Sequence, residues 1–161
     1  MSGGVSDQSA ELERLFDEAA AARTAGERAR AVERLRAAVA LQPRAALSHL
    51  MLSLALIEAE AYDQAIDSAE EACRLAPQSA AALYARGRAR RLSGDAAAAL
   101  GDLDQALLLK PINADSHYER ALTLAALKRR AEAVEALKAG LVCAPRHKGL
   151  KTLARRLSQA G

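Results

Sequence analysis

Few side chains in this sequence are of the kinds that do chemistry. The histidines are His49, His117 and His147, and the cysteines are Cys73 and Cys143. A tetrahedral metal site needs several Cys or His ligands in paired spacing, and these five are dispersed. No glycine-rich phosphate loop and no nucleophile motif is present. The densest charged group is Arg86 and Arg90, four residues apart and so on one face of a helix, with Asp102 downstream. Two arginines and a carboxylate on neighbouring helices read as a structural ion pair. The alternative is an anion site, since arginine clusters also bind carboxylate and phosphate. The chain is expected to be no enzyme, with no cofactor and no metal.

One period fixes the elements that carry these residues. Pro43, Pro77, Pro111 and Pro145 are all the prolines there are, and the interval from each to the next is the same. Hydrophobic residues make up 51% of the chain but aromatics only 2%, so the apolar content is mostly Ala and Leu, strong helix formers. Each period reads as two helices joined by a short turn, with the proline just past the second. Ser9 is the expected N-cap of the first helix, after a small, polar lead over 1–8 read as disordered. Gly26 and the Ser93-Gly94-Asp95 stretch serve as turns in the first and third periods. Glu60 and Lys128 stand in those turns in the second and fourth, each at a cost of about 1 kcal/mol if the turn needs a positive φ.

Small residues recur at matched heights. The eighth position of each unit is Ala19, Ser53, Gly87 or Ala121; the twentieth is Ala31, Ala65, Ala99 or Ala133; the twenty-seventh is Ala38, Ala72, Ala106 or Gly140. Such positions let two helix axes approach closely. After the last proline, Leu150, Leu153, Ala154 and Leu157 line one face of a further helix and Lys148, Lys151, Arg155 and Arg156 the other. A stack of repeats ends in an apolar face that must be covered, so residues 148–158 are expected to be a capping helix.

The chain therefore resembles the tetratricopeptide repeat family, a 34-residue helix-turn-helix with small residues at these places and a proline near the end. The likeness covers repeats 12–45, 46–79, 80–113 and 114–147 within a single domain over 9–161. It departs where Glu18, Arg86 and Arg120 stand at a usual Leu position and where Ala69 is small. It implies an all-α fold, a right-handed α-solenoid. His49 and His117, both fourth in their repeats, are then packing residues.

The same resemblance implies a concave groove lined by the first helix of each repeat. Mapped onto this sequence, its contact residues are Phe16, Leu50, Met51, Leu54, Ile57, Tyr84, Arg88, Arg91, Tyr118 and Leu122, with Arg88 and Arg91 orienting an acidic group of the ligand. The segment Ala46 to Ala59 is apolar nearly all round, as in a helix covered on every side. The expected function is a non-catalytic adaptor that takes a partner protein's apolar peptide or amphipathic helix in the groove. The family's clamp for chaperone C-termini is excluded, because Phe16, Ala20, Met51, Ala81 and Ala85 stand where it needs Lys, Asn and Arg.

Charge suggests a rival. The net charge is +3, but residues 46–79 carry −5 and residues 148–161 carry +4, which suits a self-associating scaffold, a homo-oligomer; an accessory subunit of an enzyme or secretion assembly is a further alternative, which the sequence does not separate from an adaptor. Nucleic acid is not expected, given the modest charge and few aromatics for stacking. The N-terminus has no basic and apolar leader, and no apolar run is long enough for membrane insertion. Cys73 and Cys143, a whole repeat apart, read as reduced thiols. Together these place the chain in the cytoplasm, and its Ala- and Arg-rich composition suits a bacterial source.

Overall fold

The computed structural model of the chain describes residues 3–159, all of whose regular elements are α-helices. In order they are α1 (Gly3–Thr24), α2 (Arg28–Leu41), α3 (Ala46–Glu58), α4 (Tyr62–Leu75), α5 (Ala80–Ser93), α6 (Ala96–Leu109), α7 (Ala114–Ala126), α8 (Arg130–Cys143) and α9 (Lys148–Gln159). The chain divides into two compact units, Met1–Pro77 and Gln78–Gly161.

The first helix begins earlier than expected. Ser9 lies inside α1, which runs from Gly3, so the lead read as disordered is helical over its described part; residues 1–2 lie outside the described residues. Once the amphipathic turns after Leu12 are formed, each added residue gains a hydrogen bond without a new nucleation cost.

The caps divide the helices into two kinds. Ser79, Asp95 and Asn113 accept hydrogen bonds from the backbone N–H three residues on, at 3.2, 3.1 and 2.9 Å, to start α5, α6 and α7. These are the ordinary N-cap residues. Ala45 at the head of α3 has no such group. In the turns, Gly26 and Gly94 have φ of 77° and 101°, and Glu60 and Lys128 have φ of 62° and 60°. The left-handed turn is thus kept where Gly is absent, at the steric cost anticipated.

The small faces do pack helix on helix. Ala31, Ala65, Ala99 and Ala133 are at most 1% exposed. A Cβ added at Gly87 would stand 2.9 Å from Leu103 Cγ and 3.2 Å from the Ala99 carbonyl oxygen. The departures at the usual Leu position are settled by charge. Glu18 lies 3.4 Å from Arg34 on α2, Arg86 2.6 Å from Asp102 on α6, and Arg120 2.5 Å from Asp104 on α6. The fourth-position histidines each bond the carbonyl of the preceding proline, His49 Nε2 to Pro43 O at 2.9 Å and His117 Nε2 to Pro111 O at 3.0 Å.

In unit 1, Leu15, Val32, Leu35, Leu52 and Leu56 are buried together with the small residues. Unit 2 has a core of Leu100, Leu124, Leu137 and neighbouring alanines, which Leu150 and Leu153 of α9 complete. The segment 148–158, expected as a capping helix, lies within α9. Its N-cap is a histidine: His147 Nδ1 accepts from the Leu150 N–H at 3.1 Å, which leaves Nε2 to donate to Asp115 Oδ1 at 3.0 Å.

Candidate partner-binding surfaces

In unit 1, α1 and α3 are tied at one end by a forked ion pair. Arg23 donates from Nε to Glu58 Oε2 at 2.9 Å and from Nη2 to Oε1 at 2.5 Å. This hydrogen bonding holds the Arg23 guanidinium above its ordinary pKa. A polar cleft of about 650 Å³ opens there, lined by Ala20, Arg23, Thr24, Gly26, Arg28 and Glu58. Along the same two helices Phe16, Leu50, Met51 and Leu54 are half-buried, while Leu47 is 57% exposed. The opposite side of α3 is occupied by Leu52, Ala55 and Leu56, all buried. Ile57 belongs with these: at 3% exposure it is a core residue, and its expected place in the groove is corrected.

In unit 2, Tyr84, Arg88 and Arg91 on α5 and Tyr118 and Leu122 on α7 are half-buried. Between them lies a carboxylate. Glu119, whose side chain is 6% exposed, receives Arg91 Nε at 2.7 Å and has Arg88 Nε at 3.3 Å. The two arginines expected to orient an acidic ligand are therefore already engaged by the chain itself. Burial, followed by the charge of Glu119, pushes the Tyr84 phenol up to about 12. The Tyr118 ring lies 5.6 Å from the His147 ring at a tilt of 43° and, like Leu122, packs against the unit's core. Sequence reasoning did not find Glu119 as the arginines' partner. Its signal is positional, since Glu119 stands where the second repeat has Met51.

Asp102 is 5% exposed and lies between two arginines. Arg86 bonds it from Nε and Nη2, at 3.1 and 2.6 Å, and Arg90 Nη1 reaches it at 2.8 Å. The carboxylate's oxygens are filled by α5, which is the structural arrangement expected. Among the described residues no group of His, Cys, Asp and Glu is placed to hold a metal ion, and no helix is long and apolar enough to cross a membrane.

The Tetratricopeptide repeat family model matches residues 16–80 and 84–147. The chain belongs to the tetratricopeptide repeat family. Curated protein sequences give no significant match. Among solved structures, a thermophilic tetratricopeptide repeat protein of Thermus thermophilus is similar, with a TM-score of 0.82 at 23% identity, covering 92% of this chain and 81% of that one. MamA superposes with a TM-score of 0.76 at 21% identity, covering 88% and 83%. The first tetratricopeptide domain of Spaghetti (RPAP3), bound to the HSP90 peptide SRMEEVD, gives 0.68 at 23% identity over 71% and 91%. These likenesses show a tetratricopeptide fold, one typical of protein-interaction scaffolds.

Proposed function

We propose that this tetratricopeptide repeat protein is a non-catalytic adaptor that takes an apolar segment of a partner protein on the α1–α3 face of unit 1. The observation that carries the reading is α3 itself. Its sequence includes one acidic side chain, Glu58, and no Lys or Arg. Leu50, Met51 and Leu54 remain half-buried after the helix has packed its other side. An apolar strip bordered by charged groups, here the Arg23–Glu58 pair at one end, is the usual anatomy of a recognition surface. An amphipathic helix, with anchors at i, i+3 and i+4, matches a strip made of Leu50, Met51 and Leu54. A relative whose structure holds a bound peptide supports peptide capture as the mode. On unit 2, Tyr84 and Tyr118 offer apolar area for the same kind of segment, with Arg88 and Arg91 held by Glu119. Cys73 and Cys143 are thiols and not a disulfide, which suits a reducing compartment, the cytoplasm.

Affinity capture with the parent and Leu54→Glu side by side tests this. The mutant should lose the partner by about tenfold or more, as expected when a charge is buried at an apolar contact, while keeping parental helicity and melting temperature. Equal capture by both proteins removes the face from consideration. Recovery of the chain alone, weakened by salt, favours self-association between the acidic second repeat and the basic C-terminal end.

A further inference from the structure

Among the described residues, the most exposed large aliphatic side chains lie elsewhere, at one edge of unit 2. Leu108, Ile112 and Val142 are 81, 85 and 82% exposed. Leu108 lies in the last turn of α6 and Ile112 follows in the bend to α7; Val142 lies in the last turn of α8, at the place equivalent to Leu108 one repeat on. The two ends are neighbours, because the Cys143 thiol points at the Pro111 carbonyl at 3.9 Å. The first two repeats have Ala40 and Arg74 in place of Leu108 and Val142, so the feature is particular to this unit.

The charge beside these side chains is mostly positive. Residues 108–115 and 142–148 include Lys110, Arg146 and Lys148 and a single carboxylate, Asp115, which accepts from His147. Among the described residues none of the three cations enters an ion pair, unlike Arg120 and Lys138 further along the same helices, which pair with Asp104 and Glu135. α9 continues the pattern with Lys151, Arg155 and Arg156 exposed and no acidic residue.

We propose that this edge of unit 2 rests on an anionic membrane surface. Side chains more than four-fifths exposed stand clear of their own protein. A fluid lipid surface accepts such protruding aliphatic groups at the headgroup boundary without a matching pocket, while Lys110, Arg146 and Lys148 beside them meet anionic headgroups. The contact is peripheral. It uses none of the residues of the α1–α3 face, so the two readings stand or fall separately.

Co-sedimentation of the full chain with vesicles tests it, using phosphatidylcholine containing about a third phosphatidylglycerol and phosphatidylcholine alone. The protein should bind the anionic vesicles and not the neutral ones, and binding should fall by at least about tenfold from low to high salt as the headgroup charge is screened. Leu108→Ser, Ile112→Ser and Val142→Ser should each weaken it about three- to tenfold, as expected for the loss of one inserted aliphatic group. Lys110→Gln with Arg146→Gln should weaken it comparably. All of these positions are exposed, and circular dichroism should stay parental; Leu54→Glu should bind vesicles as the parent does. No binding to anionic vesicles, or binding that the triple serine variant keeps, overturns the proposal. So does a co-purifying protein or nucleic acid lost with the serines when the parent ignores vesicles.

Discussion

The Tyr84 hydroxyl lies among Glu119, Arg88 and Asp115, and burial together with the Glu119 charge raises its pKa to about 12. In the unfolded chain a tyrosine ionises near 10. A group whose folded value is the higher contributes stability that is complete below pH 10 and lost as the pH climbs to about 12, because only the unfolded chain gives up the proton in that interval. The parent should therefore lose stability between about pH 10 and 12 more steeply than Tyr84→Phe, measured by urea melts of the two proteins at each pH. At this scale the sequence was only partly informative. Arg86, Arg90 and Asp102 were recognisable as a cluster because four-residue spacing alone puts the two arginines on one face. Glu119 was not recognisable as a partner of Arg88 and Arg91, since all of α6 and the turns on either side of it had to fold before the groups met. Ile57 shows the opposite failure, a residue at a family contact position whose side chain the packing of α3 takes into the core.

Within an element, what a residue costs depends on which side of the helix it occupies, and one glycine in α5 and one in α6 show it. Gly87 faces α6, where a methyl group would meet Leu103 Cγ at 2.9 Å and both the Ala99 carbonyl and Asp102 Cβ at 3.2 Å. The carbonyl is backbone and cannot swing aside, so Gly87→Ala should destabilise by about 1–3 kcal/mol. Gly101 on α6 is exposed with no heavy atom within 4 Å of an added methyl. There Gly101→Ala should stabilise by about 0.5–1 kcal/mol, since only the backbone freedom of the unfolded chain changes. Chemical denaturation of the pair checks both signs. Helix positions and turns were readable from the prolines, glycines and alanines because these act locally. The start of α1 was not, because extension of an existing helix needs no cap, and a weak signal at Ser9 decided nothing.

On the scale of the whole chain, unit 2 contains its own core and its own terminal cover, with Leu150 and Leu153 seated against Leu124 and Leu137. A fragment of residues 78–161 should accordingly melt as one cooperative transition by circular dichroism. Its loss of cooperativity on Leu153→Ala, at about 2–5 kcal/mol for a buried leucine, would mark α9 as the part that closes the core. The family was legible from four prolines and three rows of small residues, whereas what covers the faces left over after packing was not, because packing within one chain does not fix it.

The histidine bonds to Pro43 and Pro111 lie two repeats apart, and they are one of several features with that spacing. Gly26 and Gly94 make the turns of the first and third repeats, Glu60 and Lys128 those of the second and fourth. The charge pairs Glu18–Arg34 and Arg86–Asp102 recur at the same interval with their signs exchanged. Two repeat types thus alternate along the chain, with a period of two repeats. A length variant made by adding or deleting two whole repeats would preserve the alternation of the two repeat types, whereas one made by a single repeat would set two of the same type side by side.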